Sequence, residues 1–169
     1  MECILFRHGI AIELENWSGE DRSRPLTAEG IEKTREAVRG LLHIGIRPSH
    51  ILCSPFLRTQ QTAAIAKDIF GFVEKPRLCK QLFSEAAPKD LLDLLVEFSQ
   101  DDQILCIGHE PHLGLTAGVM LFGYPVMSLP FEKAGACSIQ FKGKATPGNG
   151  VLQWLFPSAQ LQQLRKMED

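Results

Sequence analysis

Two arginines and two histidines of this sequence stand where they could do chemistry together. Each comes soon after a short apolar segment, and they are Arg7, His8, Arg58 and His109. The apolar segments are residues 3–6, 51–53 and 104–107. Continuous apolar runs of this length are typical of strands covered on both faces of a parallel sheet, where ligands bind beyond the carboxyl ends of the strands. If the three strands are neighbours, we expect the four side chains to converge on one spot.

The chemistry that these residue types suit is the binding and transfer of a phosphoryl group. An arginine offers a planar fork of donors that matches phosphate oxygens. A neutral histidine nitrogen can attack phosphorus and hold the group covalently, and nearby cations would lower the pKa of His8 and keep it unprotonated near neutral pH. His109, if protonated, would be a further donor to the phosphoryl oxygens. Taken singly, such residues also occur as core ion-pair or hydrogen-bond partners, so it is their combination that favours a site.

Helices between the strands must bring these residues together, and capping signals predict where the helices begin. Thr27 is a candidate N-cap, Ser54 followed by Pro55 has the chemistry of an N-cap and first helical residue, and prolines open two further helices. The predicted helices are 28–43, 55–71, 88–98 and 111–122. The second places Arg58 in its first turn, where the positive end of the helix also favours an anion.

Two further strands are predicted near the carboxyl terminus. Residues 136–141 and 151–156 flank a turn-rich segment, which indicates an antiparallel hairpin at the edge of the sheet. Residues 158–169 are predicted to form a short surface helix. The sequence therefore predicts an α/β fold of three α/β/α layers, with a mainly parallel central sheet and one antiparallel edge strand. Residues 1–169 are expected to form a single domain.

Composition limits the partners and the compartment. A formal charge of −2 over 169 residues gives no basic excess of the kind that nucleic acid or an acidic membrane surface would require. No apolar run reaches the length of a membrane span, and the first residues lack a signal-peptide pattern. The five cysteines are odd in number, and most lie in apolar segments, where a thiol acts as a small hydrophobe. We therefore expect a cytoplasmic protein without nucleic-acid or membrane partners.

Four segments of the sequence resemble the motifs of a known family, the histidine phosphatase superfamily. They are Arg7-His8-Gly9, the R-x-L-T-x-x-G segment 24–30, the segment 54–63 around Arg58, and Gly108-His109. All four occur in the order in which the family has them, and the resemblance in the order of elements extends to about residue 156. The small size, with Ser-Pro-Phe-Leu-Arg and Gly-His-Glu-Pro, is most similar to the SixA branch of phosphohistidine phosphatases.

The resemblance implies a fold, an activity and a set of roles. The fold would be phosphoglycerate mutase-like, and the enzyme would hydrolyse phosphohistidine on a partner protein in signal transduction, with no metal and no cofactor. By the same resemblance His8 is the nucleophile, Arg7 and Arg58 bind the phosphoryl oxygens, and His109 completes the pocket. Larger members of the family take a general acid from the region after the second arginine, which is where Glu85 lies in this sequence.

Several alternatives remain open at the level of sequence. His112 follows His109 by three residues and could pair with it on a metal, although no third ligand of suitable spacing appears. Arg24 could instead tie the preceding loop to the rim of the site. The enzyme could be a phosphatase or mutase of small phosphorylated metabolites, although the segments 10–24 and 82–88 are shorter than in such relatives. A module that binds a phosphorylated ligand without catalysis is the alternative of another class, and the oligomeric state is not predicted.

Overall fold

A six-stranded sheet forms the centre of the computed structural model, which describes residues 1–126 and 129–164. The strands are β1 (Glu2–Arg7), β2 (His50–Cys53), β3 (Arg77–Leu78), β4 (Gln103–Gly108), β5 (Ala136–Phe141) and β6 (Gly150–Phe156). Their order across the sheet is β3-β2-β4-β1-β5-β6. β2, β4 and β1 are thus adjacent, and they pair in parallel. The prediction that the three apolar segments are neighbouring parallel strands is confirmed.

In the part of the chain that the structure describes, five α-helices cover the two faces of this sheet. They are α1 (Ala28–His43), α2 (Leu57–Phe70), α3 (Pro88–Leu95), α4 (His112–Phe122) and α5 (Ser158–Leu164). Side chains alternate between the faces of β1, so that Ile4 and Phe6 join the core beneath α1, α2 and α5, whereas Cys3 and Leu5 join the core beneath α3 and α4. Because both faces are covered, the strands need no polar side, which explains their continuous apolar sequence.

The hairpin of β5 and β6 closes one edge of the sheet, as the sequence predicts. β5 runs antiparallel to β1, and β6 runs antiparallel to β5. The reversed strand is therefore β5, one place in from the edge, because β6 adds outside it. The mixed α/β fold of three layers, with a mostly parallel sheet, is confirmed.

The observed helices differ from the predicted ones mainly at their ends. α1 begins as expected, with the Thr27 side chain accepting a hydrogen bond from the Gly30 N–H. α2 begins at Leu57 and not at Pro55, because the Ser54 hydroxyl is engaged at the site described below and caps no helix. α4 begins at His112, one residue late. The two-residue strand β3 was not predicted, since it is too short to show a pattern.

The carboxyl-terminal helix α5 is more than a surface helix. Leu161 of α5 is fully buried, and its backbone carbonyl lies so close to Gly40 of α1 that a β-carbon at Gly40 would be 1.9 Å away. The last part of the predicted helix, residues 165–169, lies outside the described residues. Within residues 1–126 and 129–164, no helix is both long enough and apolar enough to cross a membrane.

Candidate active site

Strand register aligns the carboxyl ends of β1, β2 and β4, which lead into the four predicted site residues. Arg7 pairs with Gly108 across β1 and β4, and Cys53 pairs with Ile107 across β2 and β4. All three strands therefore end at the same level. His8 continues β1, with its N–H donating to the Gly108 carbonyl at 3.1 Å. The convergence expected from the sequence is what the structure contains.

The hydrogen bonding of His8 fixes which of its nitrogens is free to react. Nδ1 lies 2.7 Å from the carbonyl oxygen of Gly9. Because a carbonyl oxygen can only accept, Nδ1 carries the hydrogen, and Nε2 of the neutral ring holds a lone pair. The His8 side chain is 6% exposed. The result is a buried imidazole, held by its own backbone neighbour, with a nucleophilic nitrogen.

Burial is the main reason that His8 is neutral. The pKa of His8 is lowered to about 3, mainly by burial; the hydrogen bond to Gly9 opposes this shift, and the charges of Arg58, Arg7 and Lys133 add to it. The sequence predicts the direction of this shift and its cationic cause, but the larger cause is desolvation. At neutral pH the imidazole is therefore unprotonated.

Arg58 lies in the first turn of α2, and its guanidinium is held by Asp21. Its guanidinium donates to the backbone carbonyl of Asp21 at 2.9 Å and to the Asp21 carboxylate at 3.2 Å. The guanidinium also lies over the ring of Phe56, 4.8 Å from its centroid. Burial tends to raise the pKa of Asp21, but the hydrogen bond from Arg24 and the charge of Arg58 outweigh it and lower that pKa. The Asp21 carboxylate thus fixes the orientation of Arg58.

Arg7 is held by the segment that precedes β5. Its guanidinium donates to the carbonyl of Phe131 at 2.6 Å. The N–H of Phe131 in turn donates to the Glu110 carboxylate at 2.7 Å. Burial lowers the pKa of Arg7, and the charge of Glu110 opposes this. Glu110 therefore positions Arg7 through Phe131 and balances its charge.

Three buried N–H or ring-nitrogen groups near His8 have no hydrogen-bond partner among residues 1–126 and 129–164. They are Arg7 Nε, Arg58 Nε and His109 Nδ1. Buried polar groups in folded proteins are nearly always paired, so each such group calls for an explanation. All three groups belong to residues near the His8 ring. The charges of Arg7 and Arg58 act on His8, and the His109 ring centroid lies 5.1 Å from that of His8. Together they can receive the oxygens of an anion.

His109 is fixed by two neighbours that follow β2. Its Nε2 is 2.9 Å from the Ser54 hydroxyl, and the Phe56 ring packs edge-on against it with centroids 5.0 Å apart. The pKa of His109 is lowered to about 2, mainly by burial and further by the charges of His8 and Arg58. Without an anion the ring is therefore neutral, in contrast to the protonated donor considered from the sequence. A neutral ring still donates from one nitrogen.

Two glycines of the sequence motifs let α1 pack directly against the loop that holds His8. A β-carbon at Gly9 would lie 2.2 Å from the Thr34 hydroxyl oxygen, and one at Gly30 would lie 2.0 Å from the Ile10 carbonyl oxygen. The Gly9 N–H also donates to Thr62 of α2 at 3.2 Å. The loop after β1 is therefore clamped between α1 and α2, which limits the positions available to the His8 ring.

The remaining predicted residues lie around this centre. Glu85 is exposed, and its charge acts on His112. His112 is fully buried, with Nε2 3.4 Å from the Thr116 hydroxyl. No group of three or more metal-binding side chains occurs in the described parts of the chain. Arg24 binds the Asp21 carboxylate at 2.6 Å and the Ile12 carbonyl at 2.5 Å. It thus ties together the loop that precedes it, which is the structural alternative given for Arg24 above.

Four residues of the site were not recognised as such in the sequence. They are Asp21, Ser54, Glu110 and Lys133. Ser54 was interpreted as a helix cap, and Glu110 stood only as part of the Gly-His-Glu-Pro segment. Asp21 lies in a charged loop whose composition is typical of a solvated surface, so its pairing with Arg58 depends on tertiary contact alone.

The buried neutral histidines predict a stability that falls with acid. An unfolded histidine takes up a proton near pH 6.5, whereas the pKa values of His8, His109 and His112 in the folded chain are lowered, mainly by burial, to about 3, 2 and 4. Between roughly pH 6 and pH 4 the unfolded state therefore binds more protons, and the free energy of unfolding should fall by up to ~4 kcal/mol per pH unit.

Urea denaturation at a series of pH values measures this dependence. A His112→Asn variant, which lacks one of the three groups, should lose about one third of the slope. A free energy of unfolding that stays constant from pH 7 to pH 4.5 would contradict the neutral, buried state of these rings.

Comparison with known proteins agrees with this geometry. The model of the histidine phosphatase superfamily (branch 1) matches residues 3–83. An uncharacterized protein of Picosynechococcus sp. (strain ATCC 27264 / PCC 7002 / PR-6) is 34% identical over 147 residues, covering 83% of this chain and 85% of that protein.

Solved structures show the same fold at lower identity. The protein histidine phosphatase SixA complexed with tungstate superimposes with a TM-score of 0.83 and 23% identity, covering 95% of this chain and 99% of that one. The α-ribazole phosphatase of Shigella flexneri gives a TM-score of 0.73 and 18% identity, covering 94% and 97%. With the motif segments assembled around His8 and a relative matched over most of its length, the chain belongs to the histidine phosphatase superfamily.

Proposed function

We propose that this protein is a phosphohistidine phosphatase that transfers the phosphoryl group through His8 to water. The observation that carries this proposal is the set of three unpaired buried groups, Arg7 Nε, Arg58 Nε and His109 Nδ1, around a neutral His8. A nucleophilic nitrogen surrounded by oxyanion donors is the arrangement that phosphoryl transfer requires.

The reaction has two displacements at phosphorus. His8 Nε2 attacks the phosphoryl group, its bond to phosphorus forms as the bond to the leaving group breaks, and the leaving group departs with the electron pair. A water molecule then attacks phosphorus, the bond to His8 breaks, inorganic phosphate leaves, and the neutral ring is restored. Arg7 and Arg58 balance the charge of the equatorial oxygens in both steps, and the Gly9 carbonyl stabilises the positive charge on the ring through Nδ1–H.

The substrate is proposed from the chemistry of the leaving group and from the position of Glu85. An imidazole that is already protonated leaves phosphorus without help, whereas an alkoxide needs a proton from the enzyme. Glu85, which the sequence offers as a general acid, is exposed, and its charge acts on His112. The fold similarity to SixA, a protein histidine phosphatase, adds support for a phosphohistidine on a partner protein.

A phosphatase of a small phosphorylated metabolite is the second candidate, and one feature favours it. A cleft of about 510 Å³ borders Arg7 on the side of β5 and β6, with Phe131, Leu155, Phe156 and Pro157 among its lining residues. Such a cleft could hold the body of a small substrate beside the phosphoryl site. The fold similarity to an α-ribazole phosphatase agrees with this alternative.

The proposal includes a setting for the reaction. The guanidinium groups of Arg7 and Arg58 supply positive charge to the site, so we propose that no metal takes part and that chelators leave the activity unchanged. All five cysteines are buried free thiols, which supports a reducing compartment such as the cytoplasm.

A comparison of substrates with and without a demanding leaving group tests the proposed function. We expect kcat/KM to be highest on a phosphohistidine-bearing protein, and Glu85→Gln to leave that value nearly unchanged, because imidazole needs little acid assistance. If Glu85 is a general acid, the same variant should slow hydrolysis of an alkyl phosphate far more than hydrolysis of an activated aryl phosphate.

The matched control is Glu74→Gln, which removes one exposed carboxylate from the turn after α2. A preference of the unaltered enzyme for a sugar phosphate or a phosphoglycerate by more than about tenfold, or ~1.4 kcal/mol of transition-state binding, would overturn the phosphohistidine assignment.

A further inference from the structure

The segment before β5 borders the site and carries a lysine that the reaction scheme does not yet use. The Ala134 N–H donates to the backbone carbonyls of Arg7 at 3.1 Å and His8 at 3.2 Å. Ala134 has a φ of 61°, in the left-handed region, so the chain turns sharply at this point. Lys133 directly precedes this turn. The backbone that bears Lys133 is therefore fastened to the backbone of the nucleophile.

The Lys133 side chain pairs with the loop that follows β1. Its Nζ lies 3.2 Å from a carboxylate oxygen of Glu13, on the loop that follows β1. The Glu13 side chain is 62% exposed, whereas that of Lys133 is 32% exposed. The positive charge of Lys133 also reaches His8, where it acts in the same direction as the charges of Arg7 and Arg58. Lys133 therefore links the segment before β5 to the loop after β1, and its charge acts on the nucleophile.

An ion pair of this kind is easily exchanged for a stronger partner. Pairs between side chains in contact with solvent change an equilibrium constant by no more than about fivefold. A phosphoryl dianion carries twice the charge of a carboxylate and would occupy a more buried position, where charges are screened less. A Lys133 side chain needs only to rotate about its flexible stem to follow that charge.

We propose that Lys133 is a third phosphoryl-positioning cation, which Glu13 holds in an ion pair in the free enzyme and releases to the phosphoryl group when the substrate enters. This inference rests on the proposed function, because it assumes an anion site at His8. It assigns opposite effects to the two partners: Lys133 assists anion binding, and Glu13 competes with the anion for the lysine.

Tungstate binding, measured by calorimetry on the full chain, tests this assignment. Lys133→Met should weaken tungstate binding about tenfold, and Glu13→Gln should strengthen it about two- to fivefold, since the lysine is then free. In the Lys133→Met background the Glu13→Gln change should have no effect. In steady-state assays KM should follow the same directions, with kcat changing less.

Two variants control for charge alone. Lys142→Met removes a lysine that directly follows β5, next to the first residues of β1 and so at the other end of that strand from the site. Glu15→Gln removes an exposed carboxylate from the same loop as Glu13. Both should bind tungstate like the unaltered protein. If Lys133→Met and Glu13→Gln weaken binding equally, the pair is only a structural tie and the inference is wrong. If the unaltered protein binds no tungstate, both this inference and the proposed function fail.

Discussion

Replacement of His8 by alanine is expected to abolish measurable turnover, with a loss of about 10⁴-fold or more in kcat. The imidazole supplies the only bond through which the proposed route passes, so the remaining donors can bind a phosphoryl group but cannot accept it. Nδ1 is held by the Gly9 carbonyl at 2.7 Å, and the ring is buried, so no water molecule can take the same position with the same reactivity.

A histidine elsewhere in the chain provides the comparison. His50 is the first residue of β2 and lies at the end of that strand away from the site, where its ring is partly exposed and 3.5 Å from Asp102. His50→Ala should keep nearly full activity, and both variants should show cooperative urea unfolding. Near-normal turnover by the His8→Ala protein would remove the proposed mechanism.

Replacement of Arg58 by alanine is expected to lower kcat by about 10²–10³-fold, and Arg7→Ala should fall in the same range. Each guanidinium has a buried Nε without a partner, and each is oriented by another group, Asp21 for Arg58 and the Phe131 carbonyl for Arg7. Donors that are fixed before the reaction stabilise developing charge without reorganisation, which is why their loss is costly.

Steady-state kinetics with a matched arginine variant measures this effect. Arg35→Ala removes an exposed guanidinium from α1 and should leave kcat unchanged. Since Arg58 also binds the Asp21 loop, the free energy of unfolding must be measured beside the activity. A loss of less than about fivefold for a well-folded Arg58→Ala protein would show that Arg58 does not contact the reacting group.

The sequence was sufficient to predict the fold because the sheet is covered on both sides. Strands β1, β2 and β4 are continuous apolar runs, and such runs distinguish a buried parallel sheet from a solvated one. The carboxyl ends of parallel strands lie on the same side of a sheet, so the convergence of Arg7, His8 and His109 required only that these strands be neighbours, which the structure shows.

Contacts formed only by tertiary folding could not be predicted in this way. Ser54-Pro55 has the local chemistry of a helix start, but the Ser54 hydroxyl bonds to His109, and α2 begins later. The partners of the two guanidiniums are equally nonlocal, since Asp21 is 37 residues from Arg58 in sequence. Local propensity contains no information about such pairs.

The protonation of the site shows the same division between local and tertiary effects. Two arginines near a histidine predict a lowered pKa, but the extent of burial, which is the larger cause for both His8 and His109, is known only from the packed structure. The neutral state of His109 in the free protein follows from this burial. An arriving dianion would oppose it, because a negative charge favours the protonated ring.

A rapid-quench reaction with a labelled phosphoryl substrate tests the central claim most directly. During turnover the label should appear on the protein in a form that acid removes and base does not, as expected for a phosphorus–nitrogen bond, and peptide mapping should place it on His8. The His8→Ala protein should carry no label. Turnover without any labelled protein, or label on a residue other than His8, would contradict a covalent intermediate on this histidine.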